Sequence, residues 1–154
     1  MKSKSIISVC QMTTIALAAM ISSFPIAVFA TDAKPDARGD YNAWASNWIV
    51  VINSGNLNCR SEPGTSYRIL TKYTRGSTLP TLSELEGDPI RRDRQGLPWV
   101  RIKWAGTGGS PCYIRANTSF IRSLDDFTID QTACVVREIR KGRPFHDAAF
   151  GCVD

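Results

Sequence analysis

The sequence predicts a small all-β domain, a barrel or a sandwich of short antiparallel strands. Short apolar segments alternate with turn residues at close intervals from Trp48 onward. Inside these segments apolar and polar side chains alternate, as they do at residues 57–60 and 99–104, which is the pattern of half-buried strands. An apolar stripe with helical spacing and enough length to change the class is not found.

Residues 1–30 are predicted to be a secretory signal peptide. Lys2 and Lys4 are the only charges before Asp32, and an apolar run at residues 15–30 follows them. We place cleavage after residue 30 because small residues there are followed at once by a polar stretch. Two serines and a proline interrupt the run, which favours cleavage over a membrane anchor. We therefore expect a secreted or periplasmic protein of the cell envelope, with no stable membrane span after cleavage.

Cleavage would leave 124 of the 154 residues, with 17 Lys and Arg against 14 Asp and Glu. That length predicts one domain. A net charge of +3 with acidic residues spread along the chain does not predict a nucleic-acid partner. The even number of remaining cysteines predicts two disulfides in an oxidising compartment, and three pairings are open at this point. The four cysteines are Cys59, Cys112, Cys134 and Cys152.

The elements follow in chain order. Residues 31–47 are rich in Asp, Ala, Asn and Ser without periodicity, and they predict a flexible lead-in. The turn signals are the Gly, Pro, Asn and Ser clusters between the apolar segments. These signals bound seven predicted strands, at residues 48–52, 57–60, 68–73, 77–85, 99–104, 112–114 and 120–124.

Two segments are predicted to be connections. Residues 84–98 are heavily charged and are interpreted as mostly a long hairpin loop, mobile or in contact with a partner. The glycines at residues 106–109 predict a further hairpin connection. The tail, residues 125–154, is too short to bury a core alone, so we expect a small extension packed on the domain, such as one more hairpin.

The most specific local signal is the stretch Leu57-Asn58-Cys59-Arg60-Ser61-Glu62-Pro63-Gly64-Thr65-Ser66-Tyr67, a strand that runs into a Pro-Gly turn. It resembles the opening signature of bacterial SH3-like (SH3b) domains. Further segments are similar to later motifs of that family in the same order, and together they cover residues 48–124. These segments are Arg75-Gly76-Ser77-Thr78, Trp99-Val100-Arg101-Ile102, Cys112-Tyr113-Ile114 and Phe120-Ile121.

The resemblance implies an SH3-like barrel and a disulfide pairing. Cys59 and Cys112 stand where the family carries Val and Gly, so the resemblance implies a bridge between them. The remaining pair, Cys134 and Cys152, would then close the tail. The expected fold is a small SH3-like barrel of antiparallel strands with a disulfide-closed C-terminal extension.

The same resemblance implies an exported, non-enzymatic binding domain for a cell-envelope component, such as a peptidoglycan peptide or an envelope protein. In the family the groove of the barrel is associated with cell-wall peptides. Each candidate also has a structural interpretation, because large aromatics usually lie in the core and outward polar side chains are usually solvated. By position, the candidate ligand-binding residues are Asn58, Arg60, Glu62, Tyr67, Tyr113 and Arg115.

The sequence offers little for catalysis. His146 is the only histidine, which is too few for a His-based metal site, and the cysteines are assigned to disulfides. We therefore expect no metal, no cofactor and no enzyme activity, a small hydrolase that uses His146 being the weakest alternative. The stronger alternative is a secreted, disulfide-stabilised inhibitor or protein-interaction module that acts through the charged loop 84–98 and the tail.

Overall fold

The computed structural model describes residues 33–82, 88–103 and 110–153. Within these ranges the chain forms eight short antiparallel strands followed by two helices. The strands are β1 (Asn47–Val50), β2 (Leu57–Arg60), β3 (Ile69–Tyr73), β4 (Thr78–Pro80), β5 (Ile90–Arg92), β6 (Pro98–Ile102), β7 (Cys112–Arg115) and β8 (Ile121–Ser123). The helices are α1 (Ile129–Arg140) and α2 (Phe145–Phe150).

The strands form two sheets. One has the order β4-β1-β8 and the other the order β3-β2-β7-β6-β5, and a bridge between Thr81 and Ile102 links them. The prediction of short antiparallel strands is confirmed. No closed barrel is identified among the strands of the described ranges, so the architecture stands as mostly β, in two sheets.

Period-two burial explains the main core. In β2, Leu57 and Cys59 are buried while Asn58 and Arg60 are half-buried, as the sequence predicts. The indole of Trp48 is fully buried, and its Nε1 donates a hydrogen bond to Thr81 Oγ1 at 2.8 Å. Around it lie the apolar side chains of both sheets, among them Val50, Leu79, Val100, Ile102, Ile114 and Ile121.

The segment before β1 is part of this core, where the sequence predicts a flexible lead-in over residues 31–47. Tyr41 is 2% exposed and packs edge-on against Trp48 with 4.8 Å between ring centroids. Ala45 is fully buried, and Asp40 is buried with Arg115 as its ion-pair partner. The local composition suggests a flexible segment, but one buried aromatic ring and one buried ion pair are enough to hold it against the core.

The charged segment 84–98, interpreted as mostly a loop, also contains a short strand that the sequence does not predict. Ile90 of β5 is buried and pairs with Val100 of β6, which makes a hairpin with a short turn at residues 93–97. Asp93 closes the turn because its Oδ1 accepts hydrogen bonds from the backbone amides of Gln95 and Leu97. Residues 84–87 of this segment, and the predicted connection at 106–109, lie outside the described residues.

The tail is helical, and the suggestion of one more hairpin is wrong. Thr128 and Gln131 form a capping box at the start of α1. Val135 and Ile139, four residues apart, are fully buried against Ile49 of β1 in a second apolar cluster. The tail therefore packs on the outer side of the three-stranded sheet, as a pair of helices.

Both expected disulfides form. Cys59 and Cys112 join β2 to β7 with 5.5 Å between their Cα atoms, and Cys134 and Cys152 join α1 to the residues after α2 with 5.8 Å. Such bonds are typical of an oxidising extracellular or periplasmic location. None of the helices in the described ranges has the length and apolarity to cross a membrane. The predicted signal peptide, residues 1–30, lies outside the described residues.

Candidate functional site

A groove with a volume of about 320 Å³ brings together three of the six candidate residues, Asn58, Arg60 and Arg115. It lies beside β2, β6 and β7 and is bordered by the turns that connect the strands. The other lining residues are Ile52, Ser54, Asn56, Leu57, Thr65, Leu97, Trp99 and Phe120.

Trp99 forms the aromatic part of the groove lining and also holds the β5-β6 turn. It is only 3% exposed, in keeping with the structural interpretation, and its Nε1 donates to Asp93 Oδ2 at 2.8 Å. Partial burial of Asp93 opposes ionisation, but the hydrogen bonds from Trp99 and from two backbone amides outweigh it. The pKa of Asp93 therefore lies below its usual value. The turn is thus fixed to the groove by a charged hydrogen-bond acceptor.

Arg115 is a structural anchor as well as a lining residue. Its Nη2 donates to Asp40 Oδ1 at 2.6 Å, and its Nη1 donates to the Pro98 carbonyl oxygen at 2.8 Å. Asn117 Nδ2 donates to the same Asp40 oxygen at 2.6 Å. Because the Arg115 charge is already paired in a mostly buried environment, its guanidinium is less available to bind a ligand than its position in the groove suggests.

Arg60 holds the turn that follows β2. Its Nη1 donates to the Tyr67 carbonyl oxygen at 2.6 Å. Gly64 in this turn has φ +127, and a Cβ there would lie 3.3 Å from the Tyr67 ring, so the ring packs directly on the glycine. Tyr67 and Glu62 are exposed on the same turn but do not line the groove. The turn thus presents a partly exposed ring beside the groove.

Tyr113 lies away from the groove lining. It is 5% exposed and stands opposite Arg60 of β2 and Arg101 of β6 in the sheet register. The guanidinium carbon of Arg91 lies 5.7 Å from the centre of its ring. The structure therefore divides the predicted set among the groove, the turn that follows β2 and the sheet face around Tyr113.

Leu97 and Phe120 are lining residues that the sequence analysis did not select as candidates. Both are partly exposed despite being large and apolar. A leucine directly after the Gln-Gly turn of the charged segment 84–98 is a signal that could have identified the first of them. Phe120 was counted as a strand residue, but β8 begins only at Ile121, which leaves the ring at a turn.

The described residues contain no group of three or more His, Cys, Asp or Glu side chains placed to hold a metal ion. The side chain of His146 is 91% exposed, and its Nδ1 lies 3.5 Å from Asp147 Oδ1. What the groove offers is apolar surface, an aromatic ring, an amide and a guanidinium, which suit non-covalent binding.

Comparison of the chain with protein-family models, curated protein sequences and solved structures gave no significant match.

Proposed function

We propose that the protein is an exported, non-enzymatic SH3-like binding domain that recognises an extended component of the cell envelope, such as a peptidoglycan peptide or a partner protein. The observation that carries this proposal is the groove. It combines exposed apolar side chains with hydrogen-bonding groups on a rigid, disulfide-linked sheet. A ligand site of this kind is concave, largely apolar and provided with a few fixed polar groups.

The groove chemistry favours a peptide with both apolar side chains and carboxylates. Leu97 and Phe120 offer apolar contact, while Asn58 provides an amide donor and acceptor. Arg60 directs one nitrogen to Tyr67, and a guanidinium has five donors, so others remain for a carboxylate. The partial exposure of the two apolar side chains leaves surface that a ligand would bury.

Co-sedimentation with purified peptidoglycan tests the proposal. We expect the mature protein to pellet, and Phe120→Ala to weaken binding by about tenfold, as loss of a buried aromatic contact predicts. Ile129→Ala is the matched control because Ile129 is exposed on α1 and is not part of the groove lining. Failure to pellet, or equal binding by Phe120→Ala, would count against groove binding to peptidoglycan.

A second candidate function is a protein-interaction or inhibitor module that acts through the tail. Phe150 is 73% exposed and Val153 is 58% exposed, and both line a shallow depression with Phe127 and Phe145. Exposed apolar patches of this kind mark interaction surfaces. If Phe150→Ser abolishes capture of an isolated envelope partner while Phe120→Ala does not, the tail and not the groove makes the contact.

A further inference from the structure

The strand positions on the outward face of the five-stranded sheet carry positive charge only. The two carboxylates that contact this face, Asp40 at Arg115 and Asp93 at Trp99, come from outside the strands. Cross-strand partners share a face, so the register places Arg91 beside Trp99, Trp99 beside Arg115, and Arg101 beside Tyr113. No acidic residue occupies a position on this face of the five strands. The basic residues on it are Arg60, Lys72, Arg91, Arg101 and Arg115.

Three of these arginines surround one tyrosine. Arg60 and Arg101 are the direct cross-strand neighbours of Tyr113 on either side. Arg91 approaches the same ring, with its guanidinium carbon 5.7 Å from the ring centre. Neighbouring strands lie about 4.8 Å apart, so Arg60 and Arg101 begin about 10 Å from each other. We call Arg60, Arg91, Arg101 and Tyr113 the arginine cluster.

The arginines of the cluster have no acidic partner within the described part of the chain. The ion pairs there involve other cations, such as Arg115 with Asp40. Arg101 Nε is buried and meets no hydrogen-bond acceptor among the described residues. A buried donor without an acceptor is uncommon in folded proteins, and here it lies among cations that repel one another. A bound anion would supply the missing acceptor and would also reduce the repulsion between the cations.

We propose that the arginine cluster binds a polyanionic chain whose carboxylate or phosphate groups recur along its length. Guanidinium groups suit this ligand because their planar donors pair with carboxylates and phosphates in the same bidentate manner. Three separated cations on a sheet fit a repeating anion better than a single one. This site lies beyond the proposed peptide groove, although Arg60 belongs to both.

Binding of fluorescein-labelled polygalacturonate and polyphosphate to the full mature chain, followed by anisotropy, tests the proposal. The first probe supplies carboxylates and the second phosphates, so their ratio identifies the preferred group. We expect Arg91→Gln to weaken binding about tenfold, since a bond to a charged group is lost. Affinity should also fall as NaCl is raised, because the contacts are ionic.

Arg92→Gln is the matched control, since it removes the same charge from the adjacent residue. Arg92 points away from the cluster, and its guanidinium donates to the Gly96 carbonyl oxygen at 2.8 Å and to Asn42 Oδ1 at 2.6 Å. We expect less than a twofold loss in this variant. Arg101→Lys keeps the charge and the aliphatic stem, so it tests the guanidinium geometry in a chain that still folds, and we expect an intermediate loss.

Several results would overturn the proposal. Equal losses in Arg91→Gln and Arg92→Gln would mean that net charge alone attracts the probe. Absence of binding to either polymer at low salt would refute the site directly, and stronger binding to double-stranded DNA than to both polymers would assign the face to nucleic acid. Phe120→Ala, which alters only the groove, should leave polymer binding unchanged, so failure of this site and failure of the groove are separable.

Discussion

Replacing Asp40 with alanine tests whether the segment before β1 belongs to the folded core. The Asp40 side chain is 3% exposed and accepts hydrogen bonds from Arg115 and Asn117 on one oxygen. In addition, the Tyr41 amide donates to the Ala116 carbonyl oxygen at 3.0 Å, so the segment is held at consecutive residues. Loss of the carboxylate would leave the Arg115 guanidinium without its counter-charge.

The size of the effect follows from burial. Breaking a buried ion pair by removing one partner costs about 3–5 kcal/mol, because the other charge stays desolvated. Arg115 retains 14% side-chain exposure and its bond to the Pro98 carbonyl oxygen, so we expect the lower end, about 3 kcal/mol. With a urea m-value of about 1.5 kcal/mol/M, the unfolding midpoint would fall by about 2 M.

Urea unfolding followed by tryptophan fluorescence provides the assay. Asp126→Ala is the control, since Asp126 is exposed, and it should change the midpoint by less than about 0.3 M, as is usual for surface substitutions. Arg115→Met and the double variant complete a cycle. The double variant should be more stable than the sum of the two single losses predicts, because no lone charge remains buried.

A midpoint shift in Asp40→Ala no larger than that of Asp126→Ala would refute this reasoning. It would mean that the lead-in is held without the Asp40 carboxylate, by the Tyr41 and Ala45 side chains and the Tyr41 amide, and that Arg115 is free to pair with a ligand. Strict additivity in the cycle would lead to the same conclusion, since it would show that the two charges do not interact.

Two further predictions concern the disulfides and the β5-β6 turn. Each disulfide is removed by replacing both of its cysteines with alanine. On the loop-entropy account, loss of the Cys134–Cys152 bond, with a separation of 18 residues, should lower the free energy of unfolding by about 3 kcal/mol. Loss of the Cys59–Cys112 bond, with a separation of 53 residues, should lower it by about 4 kcal/mol. Thermal unfolding would measure both, and a larger loss for the tail pair would contradict that account. Since the pKa of Asp93 is lowered in the folded state, its stabilising contribution is present above the unfolded carboxyl pKa of about 3.9 and is lost as the pH falls through the folded pKa. Trp99→Phe removes a donor to Asp93, so an NMR titration of that carboxyl should give a higher pKa, and an unchanged pKa would show that the indole does not stabilise the charged form.

The strands were predictable because their signal is local. In β2 one face is buried and the other is half-buried, so side chains alternate with a period of two, and the sequence shows that alternation directly. Ile90 lacked this support, since only three residues pair in β5 and the other two are both arginines. A strand that short is specified by its partner in the sheet and not by its own pattern.

The tail shows the opposite case, in which the local signal was present but misleading. Val135 and Val136 are β-branched and adjacent, which favours a strand. The capping box of Thr128 and Gln131 was readable, and Val135 and Ile139 have helical spacing. Packing of that apolar stripe against β1 stabilises the helix, so tertiary contact overrides the modest β preference of two valines.

The sequence predicts where the candidate residues lie in the strands, but it does not predict what each side chain does. Alternation places Asn58 and Arg60 on the outward face of β2, and the sheet register sets Tyr113 of β7 beside Arg60. Alternation does not reveal which group pairs with each charged side chain. Arg115 pairs with Asp40, 75 residues away in sequence, whereas the partner of the Arg60 side chain among the described residues is the Tyr67 carbonyl oxygen.

That difference in partners assigns different roles to equivalent arginines. A guanidinium that is already paired with a buried carboxylate stabilises the fold. It binds other anions weakly, because a ligand would have to compete with that desolvated carboxylate. A guanidinium that meets a carbonyl or an aromatic ring keeps its net charge available. On this sheet Arg115, at the groove, is the arginine paired with a buried carboxylate. Of the arginines around Tyr113, Arg60 meets a carbonyl oxygen and Arg91 meets an aromatic ring. The groove is therefore best suited to apolar and hydrogen-bonding contacts with Arg60 as its available charge, and the arginine cluster to a ligand with several charges.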